Sequence, residues 1–222
     1  MNIILLIFGL IFGGAGYFVI KKAKDEENAL YRISRLPPVQ LEDAVDGVPS
    51  KCYGRIICDK PYPSPYTGTP CVWSRSVKER YVETRDSKGR RSGRWETVED
   101  VRRSVIFDLD DGTGKIGINL EGVPLDFIDA KKVLDEPGMH MNGATRREEH
   151  VIMPENAFVY GMAIRSGNHL MVCKDAREPL AISYGKEEEF LKRKRSDDKW
   201  VNLAGYSMAI IGGAMLLFGI IW

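Results

Sequence analysis

Uncharged apolar residues occupy both ends of this chain, and they limit its fold more than any other feature. Residues 1–20 and residues 201–222 contain no charged side chain. A helix needs roughly 20 apolar residues to cross a hydrocarbon core of about 30 Å, and both segments have that length. The sequence therefore predicts a membrane protein of the α+β class, with transmembrane helices at 1–20 and 201–222 bracketing a folded domain.

The first apolar segment is predicted to be an uncleaved anchor. A secretory signal carries positive charge before its apolar run and a cleavage site after it, whereas here Lys21, Lys22 and Lys24 follow the run. Basic residues near span ends stay on the cytoplasmic side. This pattern favours a two-pass protein with a cytoplasmic domain and both termini outside. Because the rule weakens for long loops, an external domain is the alternative.

A basic cluster precedes the second apolar segment. Its residues are Lys192, Arg193, Lys194 and Arg195. Basic side chains beside a span can bind anionic lipid headgroups, so membrane lipid is a predicted partner of this cluster.

Small residues recur at helical spacing in both apolar segments. They are Gly9 and Gly13 in the first, and Gly205, Ala209 and Gly213 in the second. Small residues four apart let helix backbones approach closely in lipid. The spacing predicts a packed face, either between the two helices or between subunits of a homo-oligomer.

The chain between the apolar segments is predicted to be rich in strands. Residues 21–38 form a charged helical linker that Pro37 and Pro38 end, because proline disfavours helix in the residue before it. Residues 186–200 form a charged juxtamembrane helix. Residues 39–185 carry about eight short strand patterns, which suggest a small barrel, OB-like in one version, or a sandwich. Only residues 124–134 look helical there, and residues 86–93 read as a mobile loop.

Five motifs in this region resemble the GIDE family, also called BAM or "beside a membrane". The first is SPYTGTPCVW at residues 64–73, and FDLDDGTG follows at 107–114. The others are EHVIMP at 149–154, VYG at 159–161 and PLAIS at 179–183. The resemblance covers roughly residues 51–190 and includes the bracketing apolar segments.

The resemblance implies a domain held between two spans that engages partner proteins. In the family's best-known member, a mitochondrial ubiquitin and SUMO ligase, a RING finger after the second span carries the ligase activity. We expect no RING here, since cysteine and histidine at zinc spacing are too few, so ligase activity is not carried over. The family's domain faces the intermembrane space, which conflicts with the cytoplasmic orientation favoured by charge.

The proline-rich stretch PYPSPY at residues 61–66 is the most suggestive candidate for partner binding. Prolines hold a loop extended, and tyrosines offer large contact area at low entropy cost, as interface anchors do. The candidate partner-binding residues are Tyr62, Ser64, Pro65, Tyr66 and Trp73. The structural alternative is a loop that only closes the barrel over packed tyrosines.

The cysteines do not form a recognisable motif. Cys52, Cys58, Cys71 and Cys173 include no CxxC pair, so neither a zinc ribbon nor a thioredoxin-type site is suggested. Cytoplasmic cysteines would stay thiols, and only an external domain would make the first three candidates for disulfides. Cys71 with His150 is a weak nucleophile–base candidate, and a buried strand cysteine is the favoured interpretation.

Two other clusters of side chains are candidate metal sites. Asp108, Asp110 and Asp111 crowd one turn, but the EF-hand spacing of acids and glycine is absent. Met139, His140 and Met141, with His150, could bind a soft metal, although a polar loop explains them as well. We expect no catalytic residues, no metal and no cofactor.

These patterns together favour a non-enzymatic, membrane-tethered module that binds a protein or peptide and self-associates through its helices. An oligomeric pore or transport-associated protein is the alternative, and a membrane enzyme is less favoured. The net charge of +1 implies no bulk attraction to nucleic acid.

Overall fold

The computed structural model describes residues 3–85, 87–176 and 178–221, without the side chains of 196–200, 202 and 219–221. The chain divides into two compact units. A helical unit contains Met1–Leu36 and Glu187–Trp222, and a β unit contains Pro37–Lys186.

The helical unit consists of two long helices, α1 at Ile3–Arg35 and α2 at Glu187–Ile221. Among the described residues, only α1 is long and apolar enough to cross a membrane, and just 11% of its apolar window is buried. Among the described side chains of α2, the apolar segment is Leu203–Phe218. The structure thus supports one membrane helix and not the predicted second span at 201–222, of which Trp222 lies outside the description.

Small residues line the contact between α1 and α2. A Cβ atom added to Gly9 would lie 2.7 Å from the Leu216 side chain, and one added to Gly16 would lie 2.7 Å from the Ala209 backbone. A Cβ on Gly212 would lie 2.4 Å from the backbone nitrogen of Gly13. Such close backbone approach requires glycine on at least one helix.

The predicted packing face is therefore an intrachain contact, with one correction. Gly205 faces Val19 and Ile20 of α1, whereas nothing lies within 4 Å of a Cβ built on Gly213. Gly213 points away because the neighbouring Gly212 occupies the contact. A spacing of four residues places small residues on one face of a helix, but it does not show which face contacts the partner helix.

Within the described residues, the β unit contains thirteen strands. Those that enclose the core are β1 (Pro49–Ile57), β6 (Phe107–Asp110), β7 (Lys115–Ile118), β11 (Asn156–Ser166) and β12 (His169–Cys173). The others are β2 (Tyr62–Pro63), β3 (Pro70–Cys71), β4 (Trp73–Arg85), β5 (Arg91–Ser104), β8 (Ile128–Asp129), β9 (Lys131–Glu136), β10 (Thr145–Ile152) and β13 (Ala181–Ser183). Short 3-10 turns lie at Leu41–Asp43 and Leu125–Phe127.

Five of these strands close into a barrel. The sheet runs β1-β6-β7-β12-β11, and β11 pairs back onto β1. All neighbours are antiparallel except β7 and β12, which are parallel and place Gly117 opposite Met171. The structure therefore selects the barrel over the sandwich. Closure removes the exposed edges that an open sheet would present.

Alternating side chains fill the barrel interior. In β6, Phe107 and Leu109 are buried while Asp108 is exposed, and in β7 Ile116 and Ile118 are buried. This period of two is the strand periodicity that directs successive residues to opposite faces. Burial of these apolar groups supplies the main stabilisation of the barrel.

Two long insertions between barrel strands build a second sheet. The segment holding β2–β5 joins β1 to β6, and the segment holding β8–β10 joins β7 to β11. Strands from both insertions pair in the order β5-β4-β10-β9. We call this four-stranded sheet the outer sheet.

Two sequence expectations fail in these insertions. The predicted helix at 124–134 is instead a 3-10 turn followed by β8 and β9, because Ile128 pairs with Ile182 of β13. The predicted loop at 86–93 is shorter, since β5 already begins at Arg91 and pairs there with Arg85. In both places a tertiary pairing overrides local preference.

Candidate binding site on the proline-rich loop

The proline-rich stretch forms a tight loop between two short strands. β2 and β3 pair antiparallel, with Tyr62 opposite Cys71. Between them the Ser64 nitrogen donates to the Thr69 carbonyl at 2.9 Å, and the Gly68 nitrogen donates to the Ser64 carbonyl at 3.0 Å. Gly68 has a φ of +69°, which favours glycine. We call residues 64–69 the anchor loop.

A buried glutamate of the outer sheet holds the anchor loop in place. Glu149 on β10 is fully buried at 0% exposure. Its Oε2 accepts hydrogen bonds from the Ser64 hydroxyl (2.9 Å), the Thr67 nitrogen (2.9 Å) and the Thr67 hydroxyl (2.7 Å). Its Oε1 accepts from the Tyr66 nitrogen at 2.9 Å and from the Ser76 hydroxyl at 2.7 Å. One carboxylate thus binds both the loop and the neighbouring strand β4.

These donors stabilise the ionised form of Glu149. Burial alone would raise its pKa, but the hydrogen bonds from Thr67, Tyr66 and Ser76 outweigh that effect and lower the pKa. Hydrogen bonds to a charged group are about twice as strong as neutral ones. The loop conformation is therefore tied to a charged, saturated acceptor.

The anchor loop presents a small exposed surface above this carboxylate. Pro65 and Thr67 are exposed, and Tyr66 is half-buried. The Tyr66 hydroxyl donates to Glu99 at 3.3 Å, and the Arg147 guanidinium lies 5.6 Å from its ring centroid. Tyr66 is held from both sides, so its ring is displayed in one orientation.

Only part of the predicted binding set lies at this surface. Trp73 is 5% exposed in the barrel core, and Ser64 is 3% exposed beneath the loop. The Tyr62 hydroxyl donates to the Arg103 carbonyl at 2.7 Å, and burial raises its pKa. These three side chains support the loop, which leaves the exposed Pro65 and the half-buried Tyr66 at the surface.

Sequence reasoning missed Glu149 as a site residue. It lies in the EHVIMP motif, yet its neighbours in sequence are equally polar. A weak signal was present, because a loop rich in hydroxyls and backbone donors needs a buried acceptor. Only the pairing of Glu149 with Ser76 of β4 shows which carboxylate supplies it.

Cys71 and His150, the candidate nucleophile and base, have other hydrogen-bond partners. The Cys71 thiol donates to the Tyr62 carbonyl, and burial raises its pKa, which disfavours the thiolate nucleophile. The His150 ring bonds to Glu148. All four cysteines, each within the described residues, are free thiols.

Asp111 and His140, which belong to the two candidate metal clusters, have other partners. Asp111 accepts hydrogen bonds from the Leu41, Thr113 and Gly114 nitrogens and from the Thr113 hydroxyl. Burial would raise its pKa, but these bonds dominate and lower it to about 2. His140 packs on the rings of Tyr81 and Trp95. Within the described part of the chain, no group of three or more histidine, cysteine and acidic side chains could hold a metal ion.

A second concave surface lies beside β1 on the outside of the barrel. It has a volume of about 580 Å³. Its lining combines both charge signs with exposed aromatic rings and includes Tyr53, Arg55, Asp110, Asn156, Tyr184 and Lys186. It is a competing location for a ligand.

The predicted lipid-contact residues lie on α2. Lys192, Arg193 and Arg195 are exposed, and Lys194 is partly exposed. The Arg193 Nε donates to the Glu189 carbonyl one turn earlier. Their contact with lipid stays a prediction.

The chain was compared with known proteins. Comparisons with curated proteins and with solved structures gave no significant match. A family model, GIDE, described as an E3 ubiquitin ligase, matches residues 78–218. The match begins after SPYTGTPCVW and includes the other four motifs as well as most of α2. It spans more than half of the 222 residues, and the chain therefore belongs to the GIDE family.

Proposed function

We propose that this protein is a membrane-tethered module that binds a protein or peptide partner through the anchor loop. The observation that carries the proposal is the Glu149 carboxylate, whose four hydrogen bonds from the loop fix its conformation while Pro65 is exposed and Tyr66 half-buried at the surface. A loop ordered before binding loses little conformational entropy on association. Tyrosine is also enriched among residues that dominate binding energy.

The barrel topology supports the same location. In chain order the barrel strands form the ring first, second, third, fifth and fourth, with the third and fifth parallel. We infer an OB-like barrel from this order. OB folds bind ligands on the face of strands two and three and with the loops that follow strands one and four. The anchor loop lies within the connection that follows the first barrel strand.

Selection of peptides from a display library on the full chain in nanodiscs tests the proposal. We expect enriched peptides whose affinity falls at least tenfold with Tyr66→Ala, because an anchor residue typically contributes about 2 kcal/mol. Tyr184→Ala is the matched control, since Tyr184 is a surface tyrosine of the competing concave surface. Affinity that depends on Tyr184 and not on Tyr66 would move the site away from the anchor loop.

We also propose that α2 crosses the membrane beside α1. Support comes from the contacts of Gly9, Gly16 and Gly212, which lie within the apolar part of each helix. If α2 pairs with a membrane-spanning α1 along the apolar residues of both helices, the two helices lie at the same depth in the bilayer.

Gly212→Leu and Gly213→Leu form a matched pair for this arrangement. A leucine at 212 would collide with the Gly13 backbone, whereas one at 213 meets open space. We expect Gly212→Leu alone to lower the thermal stability of the helical unit in nanodiscs. Equal loss from both substitutions would contradict the intrachain pairing.

The same pair tests self-association. If subunits associate through the outward face of α2, Gly213→Leu should reduce the molar mass measured by light scattering while Gly212→Leu acts on the fold. The small-residue faces that motivated a pore contact each other within one chain, so no observation favours the pore. We propose a cytoplasmic orientation of the β unit from the basic flanks, and labelling of a Thr67→Cys variant with an impermeant thiol reagent tests it against the external alternative.

A further inference from the structure

A second surface lies on the outer sheet at the tip of the β4–β5 hairpin. Residues 85–94 contain five basic side chains and one acidic side chain. They are Arg85, Lys88, Arg90, Arg91 and Arg94, with Asp86 outside the described residues. Arg94 is paired with Glu96 at 2.7 Å, so it adds little to the positive charge of this tip. The other four basic side chains outnumber the single acidic one there, whereas the whole chain has a net charge of only +1.

The register brings two of these arginines directly opposite each other. Arg85 on β4 pairs with Arg91 on β5, and both side chains are exposed. Like charges directly opposite on paired strands are unfavourable. Among the described ion pairs none involves Arg85 or Arg91, so an external anion would relieve the repulsion.

Amphipathic rings lie farther along the same strand face, beyond the paired Glu83 and Gly93. Tyr81 and Trp95 lie four residues along the chain from Arg85 and Arg91 respectively and pair with each other, with ring centroids 5.2 Å apart. His140 packs against both rings, and its chain neighbours Met139 and Met141 are 73% and 62% exposed. Arginine, tyrosine, tryptophan and exposed apolar side chains together are the composition of surfaces at a membrane interface.

We propose that this hairpin surface binds the anionic phospholipid headgroups of a bilayer. Charge complementarity favours that occupant, and α1 as a membrane anchor confines the β unit to the neighbourhood of a bilayer. Each basic residue near an anionic surface strengthens binding by about fivefold. The surface is separate from the anchor loop and does not depend on the proposed peptide binding.

Vesicle binding by the full chain tests the proposal. The chain is embedded in nanodiscs of phosphatidylcholine and mixed with vesicles of equal parts phosphatidylcholine and phosphatidylglycerol, or of phosphatidylcholine alone. We expect co-sedimentation with the anionic vesicles only. Arg85→Gln/Arg91→Gln should weaken it about 30-fold, as expected for two lost charges, and Arg85→Glu/Arg91→Glu should abolish it.

The control is Lys60→Gln/Arg165→Gln, which removes two exposed basic side chains elsewhere on the β unit. Equal loss of binding in both glutamine variants would overturn the proposal, because net charge would then suffice. Equal binding to neutral and anionic vesicles would also overturn it. So would absence of vesicle binding together with tight binding of a single-stranded oligonucleotide, which would assign the surface to nucleic acid. Circular dichroism verifies that each variant stays folded.

Discussion

The barrel and the outer sheet are built from the same chain but are stabilised by different interactions. The barrel encloses apolar side chains such as Leu109, Ile118 and Ile182, each 0% exposed. The outer sheet carries ion pairs on its surface, including Arg75 with Asp100 at 2.9 Å and Arg147 with Glu136 at 2.7 Å. Its fully buried carboxylate is Glu149, which binds the anchor loop.

This difference assigns the structural support to the barrel and the candidate binding surfaces to the outer sheet and the anchor loop that it holds. Apolar burial is strong and non-directional, whereas exposed ion pairs contribute little net stability. The outer sheet therefore keeps polar side chains available at its surface, and the barrel supplies the rigidity. Both proposed binding surfaces lie within the insertion that follows the first barrel strand.

Removing core volume from the barrel should have the largest effect. Leu109→Ala should lower the free energy of unfolding by about 3 kcal/mol, because a buried leucine leaves a cavity. Val98→Ala on the outer sheet is the control, since Val98 is 54% exposed, and it should change stability by less than about 0.5 kcal/mol. Denaturation of the detergent-solubilised chain measures both, and equal losses would break the comparison.

Glu149→Gln should have the next largest effect, about 2 kcal/mol, because an amide cannot accept all the hydrogen bonds that the carboxylate accepts. Glu148→Gln is the matched control on the same strand, with pairs to Lys132 and His150 at the surface. It should cost about 0.5 kcal/mol. Limited proteolysis should cut the anchor loop faster in the Glu149 variant alone. An unchanged cleavage rate would contradict the anchoring role.

Acid should weaken the barrel through Asp111. Its pKa falls from 3.8 to about 2 in the folded state. A lowered folded pKa contributes stability above the unfolded pKa, and that stability is lost as pH falls from about 4 to about 2. Asp111→Asn should cost about 1 kcal/mol at neutral pH and flatten the fall in thermal midpoint over this range. Asp108→Asn, an exposed neighbour, should keep the wild-type slope, and parallel slopes in all three proteins would refute the assignment.

The smallest effect is expected at the surface of the outer sheet. Arg75→Gln removes a bidentate pair with Asp100, formed at 2.9 and 3.0 Å. It should cost about 0.5 kcal/mol and less at high salt, because exposed pairs are screened. If the loss of unfolding free energy were similar to that of Leu109→Ala, ion pairs would be a main source of stability in the outer sheet. That result would contradict the comparison with the barrel.

Local patterns in the sequence predicted several parts of this molecule. The short strand patterns of residues 39–185 predicted a β-rich domain, and strands such as β6 form there. The uninterrupted apolar run of residues 1–20 predicted a membrane helix, and α1, which begins at the first described residue Ile3, is long and apolar enough to cross a membrane. Each inference rests on side chains that are close in sequence.

Three of the misses involve partners that are distant in sequence. Residues 124–134 have a local helical pattern, yet pairing of Ile128 with Ile182 makes strands there. Gly213 has the correct spacing, yet Gly212 makes the contact with α1. Trp73 has the character of an interface residue, yet it fills the barrel core.

The sequence by itself determined the apolar ends, the strand-rich middle and the membership of the GIDE family, because each depends on composition or on motifs in linear order. Only the tertiary structure decided that five strands close into a barrel, that two insertions pair into the outer sheet, and that Glu149 binds the anchor loop. Those features depend on contacts between residues as far apart in the chain as Pro49 and Met162. A local pattern cannot specify such contacts, because many registers and partners satisfy it equally well until the whole chain packs.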